Sequence, residues 1–150
     1  MSIPAIKAVG IGRGPAVASL PGSRIHDEIL PPDGPSTGGV GLVRPTNNAG
    51  GLEGGITNGE DLRVSAYMKP IATLMKPLRS VDLTTMAESP AAIERSDVCA
   101  VPAAAVVAEA MVAIVLADAA MEKFGSDTVQ EMVGSYRAFR DRTAARFAKP

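Results

Sequence analysis

The sequence predicts an α+β fold in which antiparallel strands pack against a long buried helix. Residues 61–70 alternate apolar and polar side chains, which is typical of a half-buried strand. Residues 102–124 are apolar around almost the whole circumference of a helix, which indicates neighbours on several sides. Segments rich in glycine and proline lie between these elements and predict turns and loops.

Length, charge and composition narrow the class of protein. The 150 residues suit a single domain over 1–150, and 15 lysines and arginines nearly balance 16 aspartates and glutamates. This balance argues against binding nucleic acid or an anionic membrane through a general basic field. The single cysteine and single histidine predict neither a disulfide nor a metal site. Because a single cysteine suits a reducing compartment, we expect a cytoplasmic protein; the first residues also lack the features of a secretion signal.

The N-terminal third contains one predicted strand and two glycine-rich segments. Residues 3–12 predict a short strand, and residues 31–45, with four prolines and four glycines, predict a surface loop with at most a short strand at 40–43. Residues 47–59, NNAGGLEGGITNG, are called the glycine segment below; they hold five glycines and three asparagines. Bare amides in such a segment can bind an anion such as phosphate, while tight turns between strands are the alternative.

The remaining elements follow from periodicity. The strand at 61–70 places Leu62, Val64, Ala66 and Met68 on one face, and residues 80–85 predict a second strand. The long helix is predicted to end at Gly125. A last helix is predicted to begin near Asp127, whose carboxylate can cap it. Residues 137–150 are basic and predict a flexible tail.

Charged residues at the ends of these elements are candidate ligand contacts. Lys69 closes the predicted strand just before Pro70, where its charge could meet a bound anion; a solvated strand-end lysine is the alternative. Arg95 and Asp97 precede the long helix, whose N-terminus favours anions, while a cap or a salt bridge is the alternative role for Asp97.

Four blocks, in order, resemble the C-terminal part of chorismate synthase, in particular its actinobacterial form. They are MSIPAIKAVGIGRG, GSRIHDEI, NNAGGLEGGITNG followed by LRVSAYMKPIAT, and RSDVCAVPAAAVVAEAMVAIVLADAAMEKFG. The resemblance implies the C-terminal portion of a β-α-β sandwich within a homotetramer. It also implies a phosphate lyase that converts 5-enolpyruvylshikimate 3-phosphate to chorismate in the last step of the shikimate pathway.

The resemblance implies a site for reduced FMN, with NADPH as a candidate reductant. The residues that match cofactor contacts of the family are Pro4, Ala5, Gly54, Lys69, Pro70, Ile71, Ala72, Thr73 and Arg95. Asp97 matches the aspartate that assists proton movement near the flavin N5, and is the predicted catalytic residue. Pro4 stands where the family usually has a polar amide side chain, so only backbone could contribute there.

The family's N-terminal part, with its catalytic histidines, has no counterpart in this sequence. We therefore expect a fragment that is marginally folded or associates, and that is inactive alone. The alternative is a non-catalytic flavin-binding or subunit-assembly module derived from the same family. A generic α+β domain with turn glycines would require the four ordered blocks to be coincidence.

Overall fold

Three antiparallel strand pairs, two α-helices and two short 3-10 helices (Gly14–Ser19 and Gly22–Arg24) lie in the parts of the chain that the structure describes, which are residues 1–31, 42–94, 99–125 and 127–147. The structure is a computed structural model. The elements are β1 (Ile6–Ile11), β2 (Leu52–Glu53), β3 (Ile56–Thr57), β4 (Val64–Met68), β5 (Arg79–Val81), β6 (Glu88–Pro90), α1 (Val101–Phe124) and α2 (Val129–Phe147). The predicted α+β class is confirmed.

β1 and β4 form the central ribbon and confirm two predicted strands. Ile6 lies opposite Met68 and Ile11 opposite Val64, with a register shift at Lys7. The apolar face of β4 borders a groove of about 380 Å³ beneath α1. Its lining includes Ile6, Leu62, Val64, Ala66, Met68, Ala104, Ala108 and Val112. Ile6 is the one buried apolar side chain among the described residues, so the small hydrophobic core lies at this groove.

The glycine segment folds into a turn followed by the β2–β3 hairpin. Glu53 pairs with Ile56, so Gly54 and Gly55 occupy the two central turn positions, with φ of +59° and +77°. Both positive angles fit the type I′ turn, which favours glycine because other residues are strained there. The predicted tight turns are therefore present in this segment.

Most of the loop predicted at 31–45 lies outside the described residues. Its two flanks are held together, since the N–H of Leu30 donates to the carbonyl of Val43 at 2.9 Å and the N–H of Val43 donates back at 3.0 Å. Of the short strand predicted at 40–43, the described part shows this single bridge.

The strand predicted at 80–85 is wrong in its extent. β5 ends at Val81, and Asp82 turns the chain because its carboxylate accepts the N–H groups of Thr84 at 2.7 Å and Thr85 at 3.2 Å. An aspartate side chain that satisfies nearby amides competes with strand pairing in this way. Leu83 consequently lies in the turn of the β5–β6 hairpin and is 81% exposed.

α1 confirms the predicted helix, beginning one residue earlier than predicted, but its predicted burial is wrong for this chain. None of its residues is buried. Ala104, Ala108 and Val112 are half-buried against the β1–β4 ribbon, whereas Ile114 and Val115 are more than half exposed. A two-stranded ribbon covers only one side of a helix, so most of the other apolar side chains of α1 are exposed among the described residues.

α1 is also long and apolar enough to cross a membrane by length and composition alone, with a mean hydropathy of 2.0 in its most apolar window. Glu109 and Asp118 interrupt its apolar run, and the helix nevertheless meets the criterion. A core helix of a soluble protein meets it as well. The half-buried line toward the ribbon favours a core helix.

α2 begins and ends differently from the prediction. Thr128, rather than Asp127, caps it: the Thr128 hydroxyl accepts the N–H of Glu131 at 3.3 Å, and the Glu131 carboxylate accepts the N–H of Thr128 at 3.1 Å. This reciprocal pair is a capping box.

α2 extends into the range 137–150 that the sequence predicts as a flexible tail. The helix continues to Phe147, and residues 148–150 lie outside the described residues. Phe139 packs edge-on against Phe124 of α1, with ring centroids 5.6 Å apart, and the Lys123 ammonium lies 4.1 Å from the Phe139 ring. These contacts give the helix an anchor that its basic composition did not indicate.

The chain exposes far more surface than its mass requires. Its accessible surface is 11836 Å². A compact monomer of 15.4 kDa would expose about 7,200 Å², so the excess is about 4,600 Å². A standard protein–protein interface covers roughly 800 Å² of each partner. The excess is therefore several times what one ordinary interface would cover.

Candidate functional site

Two of the predicted cofactor-contacting segments meet at one end of the β1–β4 ribbon. Because the strands are antiparallel, β1 begins where β4 ends. The N–H of Lys69 donates to the carbonyl of Ala5 at 2.8 Å, which joins Pro4–Ala5 to the segment Lys69–Thr73. Ala5 has a φ of +65°, in the left-handed region that residues other than glycine seldom adopt. Such strain is frequent at ligand sites.

The side chain of Lys69 is exposed at this end of the ribbon. Among the described residues, ion pairs join Arg44 with Glu53 and Arg79 with Glu88, and none includes Lys69. The following residues are small or apolar: Pro70 and Ala72 are exposed, and Ile71 and Thr73 are half-buried. A single cation beside short side chains suits a flat anionic ligand.

Gly54 lies at the tip of the β2–β3 hairpin. A side-chain carbon added at Gly54 or Gly55 would meet no atom within 4 Å, so the space beside this backbone is open. The open backbone is what the resemblance requires of Gly54, because a flavin could approach its amide closely.

The base of the glycine segment lies at the other end of the ribbon from Lys69. Gly12 donates its N–H to the carbonyl of Arg63 at 2.9 Å, and Arg13 donates to that of Asn48 at 3.0 Å. Lys69 lies six positions after Arg63 along the strand, which corresponds to about 20 Å. The glycine segment can reach the Lys69 end only through the hairpin that carries Gly54. The convergence of Gly54 and Lys69 on one pocket therefore stays a prediction.

Side chains fix the base of the glycine segment. The Asp27 carboxylate accepts the Thr46 hydroxyl at 2.5 Å and the N–H groups of Asn48 at 2.8 Å and Ala49 at 2.9 Å. Asn47 accepts the N–H of Gly51 and donates to the carbonyl of Asp61, both at 2.8 Å. The chain entering the hairpin is thus held from two sides.

The electrostatics of Asp27 follow from these contacts. Desolvation alone would raise the pKa of its carboxyl, but the bonds from Thr46, Ala49 and Asn48 and the charge of Arg44 outweigh it and lower the pKa below its usual value. The Arg44 guanidinium, with its side chain only 10% exposed, also donates to the Glu53 carboxylate at 2.8 Å. Asp27 therefore stays ionised at neutral pH.

The two predicted site residues ahead of α1, Arg95 and Asp97, lie outside the described residues. The adjoining helix begins at Val101, after an N-cap at Ala100 that makes no side-chain cap hydrogen bond. Their predicted roles remain predictions.

Sequence reasoning missed Asp27 and Asn47. Asp27 stands in a block that the resemblance includes, yet no spacing rule links it to a backbone 21 residues later. The Asn-Asn-Ala-Gly-Gly run did carry a local signal, because asparagine side chains often bond amides a few residues on. The Asn47 contact with Gly51 is of that kind.

Comparison with known proteins assigns the family. The family model for chorismate synthase matches residues 1–121. The chorismate synthase of Moorella thermoacetica is 60% identical over 142 residues, which cover 93% of this chain and 36% of that protein. That of Rhodococcus opacus is 54% identical over 149 residues, covering 99% of this chain and 36% of that protein.

A solved structure agrees with these matches. A crystal structure of chorismate synthase aligns with a TM-score of 0.72 and 42% identity, over 97% of this chain and 34% of that one. The chain thus spans about a third of the length of the relatives it matches.

Proposed function

The chain belongs to the chorismate synthase family, and we propose that it supplies the part of such an enzyme that contacts reduced FMN. The observation that carries the proposal is the family match over residues 1–121, at 54–60% identity to relatives such as those from Rhodococcus and Moorella. The substrate in this proposal is 5-enolpyruvylshikimate 3-phosphate, and the product is chorismate. The proposed location is the cytoplasm, and the proposed assembly is a homotetramer.

The described residues fit a flavin at the Lys69 end of the ribbon. The short side chains of Ala5, which is half-buried, and of Ala72, which is exposed, leave room for a flat ring, and Lys69 offers an ammonium without a carboxylate partner among the described residues. Gly54 offers backbone beside open space. Arg95, with its permanent positive charge, is the remaining proposed contact.

The reaction removes phosphate and a hydrogen in 1,4 relation, with no net change in oxidation state. Reduced FMN, when bound, supplies an electron-rich ring beside the substrate. This ring favours the departure of phosphate and the formation of the new double bond. In the proposal Lys69 and Arg95 orient the anionic ligand and offset negative charge. Asp97 holds or passes the proton that the elimination releases.

Turnover is the test. Purified chain receives reduced FMN and 5-enolpyruvylshikimate 3-phosphate without oxygen, and chorismate is followed by its absorbance. We expect no product from the 150-residue chain alone. Product should form when the chain is co-expressed with the complementary two thirds of the Moorella relative. A family-like rate from the chain alone, or full-length-like binding of FMN without any product from the co-expressed pair, would contradict the proposal.

A second candidate is a non-catalytic assembly module. The large excess of exposed surface and the uncovered faces of α1 favour it, because they suit contact with other polypeptide. FMN titration with and without a full-length relative separates the candidates. A pure assembly module binds the relative and leaves flavin fluorescence unchanged.

A further inference from the structure

Asp27 is the side chain that holds residues 46–49, where the chain enters the glycine segment. One carboxylate oxygen accepts the Thr46 hydroxyl and the N–H of Asn48, and the other accepts the N–H of Ala49. Three donors within residues 46–49 thus bond to one carboxylate. Hydrogen bonds to a charged acceptor are among the stronger ones in proteins.

The geometry beyond Asp27 leaves the chain little freedom. Gly50 follows Ala49 and lies so close to Gly12 that an added side-chain carbon would be 2.3 Å from the Gly12 nitrogen. Gly51 also packs closely on the backbone of Asp61, whose carbonyl oxygen would be 2.7 Å from an added side-chain carbon. These are backbone-to-backbone contacts, so a small shift at residues 46–49 would be transmitted to the hairpin that starts at Leu52.

A second connection reaches the hairpin directly. Arg44, whose charge acts on Asp27, donates to the carboxylate of Glu53, and Asn58 donates to the same oxygen at 3.0 Å. Glu53 immediately precedes Gly54, so this link ends beside the turn. The charges alternate in sign from Asp27 through Arg44 to Glu53.

We propose that Asp27 is a positioning residue that orients the β2–β3 hairpin and thereby presents the Gly54 backbone to the flavin. The inference rests on the proposed function for its ligand, although the clamp itself is independent of it. Asparagine cannot replace the carboxylate, because its amide nitrogen would face either the Ala49 N–H or the Thr46 and Asn48 donors.

The test compares Asp27→Asn with Asp82→Asn in the full 150-residue chain. Asp82 is a matched control, since its carboxylate also accepts two backbone N–H groups but lies in the β5–β6 turn. Amide hydrogen exchange over residues 46–59 reports the clamp, and FMN fluorescence titration reports the site. Circular dichroism checks that both variants keep the helices.

We expect Asp27→Asn to speed exchange across 46–59 and to weaken FMN binding by about tenfold, as the loss of a charge-assisted bond implies. Asp82→Asn should change neither. Unchanged exchange, or faster exchange with unchanged FMN affinity, overturns the inference while leaving the proposed function in place. If the unsubstituted chain binds no FMN with or without a full-length relative, the proposed function fails, and the inference fails with it.

Discussion

Replacing Gly12 with alanine should unfold the central ribbon. The added carbon would lie 1.9 Å from the carbonyl oxygen of Asn48 and 2.7 Å from the backbone of Ala49 and Gly50. Ordinary contact begins at 3.4 Å, so these backbones must separate by about 1.5 Å. The separation breaks the bonds from Gly12 to Arg63 and from Arg13 to Asn48.

The magnitude follows from these losses. Placing alanine at a φ of +60° costs about 1 kcal/mol, two lost backbone hydrogen bonds cost about 1 kcal/mol each, and the overpacking adds about 2 kcal/mol. The sum, about 5 kcal/mol, equals the whole free energy of unfolding of a marginal domain. Gly12→Ala should therefore abolish the cooperative transition.

Two glycines provide controls in the same urea titration, followed by far-ultraviolet circular dichroism. Gly54 has a similar φ of +59° but open space around it, so Gly54→Ala should cost only about 1 kcal/mol. Gly134 lies within α2 in open space, so Gly134→Ala should stabilise the chain by up to about 1 kcal/mol. A Gly12→Ala midpoint equal to that of Gly54→Ala would refute the close packing of Gly12.

Three further predictions concern other parts of the chain. Thr128→Ala removes the α2 cap and should lower the free energy of unfolding by about 1 kcal/mol in urea titrations, with an unchanged midpoint as the contrary result. The pKa of Asp27 is lowered on folding, so its stabilisation is present above its unfolded value of about 3.9 and is lost as pH falls through the folded value. The urea concentration at the unfolding midpoint should hence decrease when the pH is lowered below about 4, and it should decrease less steeply in Asp27→Asn. The same pH dependence in both proteins would contradict this role of Asp27. The exposed apolar surface predicts that the isolated chain associates or binds an apolar dye. A monomeric mass in light scattering together with no dye fluorescence would contradict this prediction.

Local patterns predicted the elements, and contacts distant in sequence decided the rest. The β4 alternation and the α1 composition identified their elements because strand and helix periods are local properties. The Asp82 turn and the Thr128–Glu131 capping box were also local, and both signals were present in the sequence and missed. The composition of α1 does not decide its exposure, because burial depends on which surfaces are available to cover the helix.

Some residues of the candidate site could likewise be named from the sequence, whereas others depend on contacts that are distant in sequence. The resemblance named Ala5 and Lys69, and the antiparallel pairing of β1 with β4 explains their contact. Asp27 could not be found from sequence, since its partners follow about twenty residues later across segments with no common period. The packing of the glycine base at the Arg63 end of the ribbon depends on tertiary contacts.

The dissociation constant for FMN in Lys69→Ala, compared with Lys76→Ala, tests the account most directly. Both lysines stand in a Met-Lys-Pro sequence and both are exposed, so the substitutions match in neighbouring sequence and in exposure. The titrations use the chain co-expressed with the complementary part of a full-length relative. The account predicts that Lys69→Ala weakens FMN binding about tenfold while Lys76→Ala binds like the unsubstituted chain. Equal FMN affinity in the two variants would contradict a flavin site at this end of the ribbon.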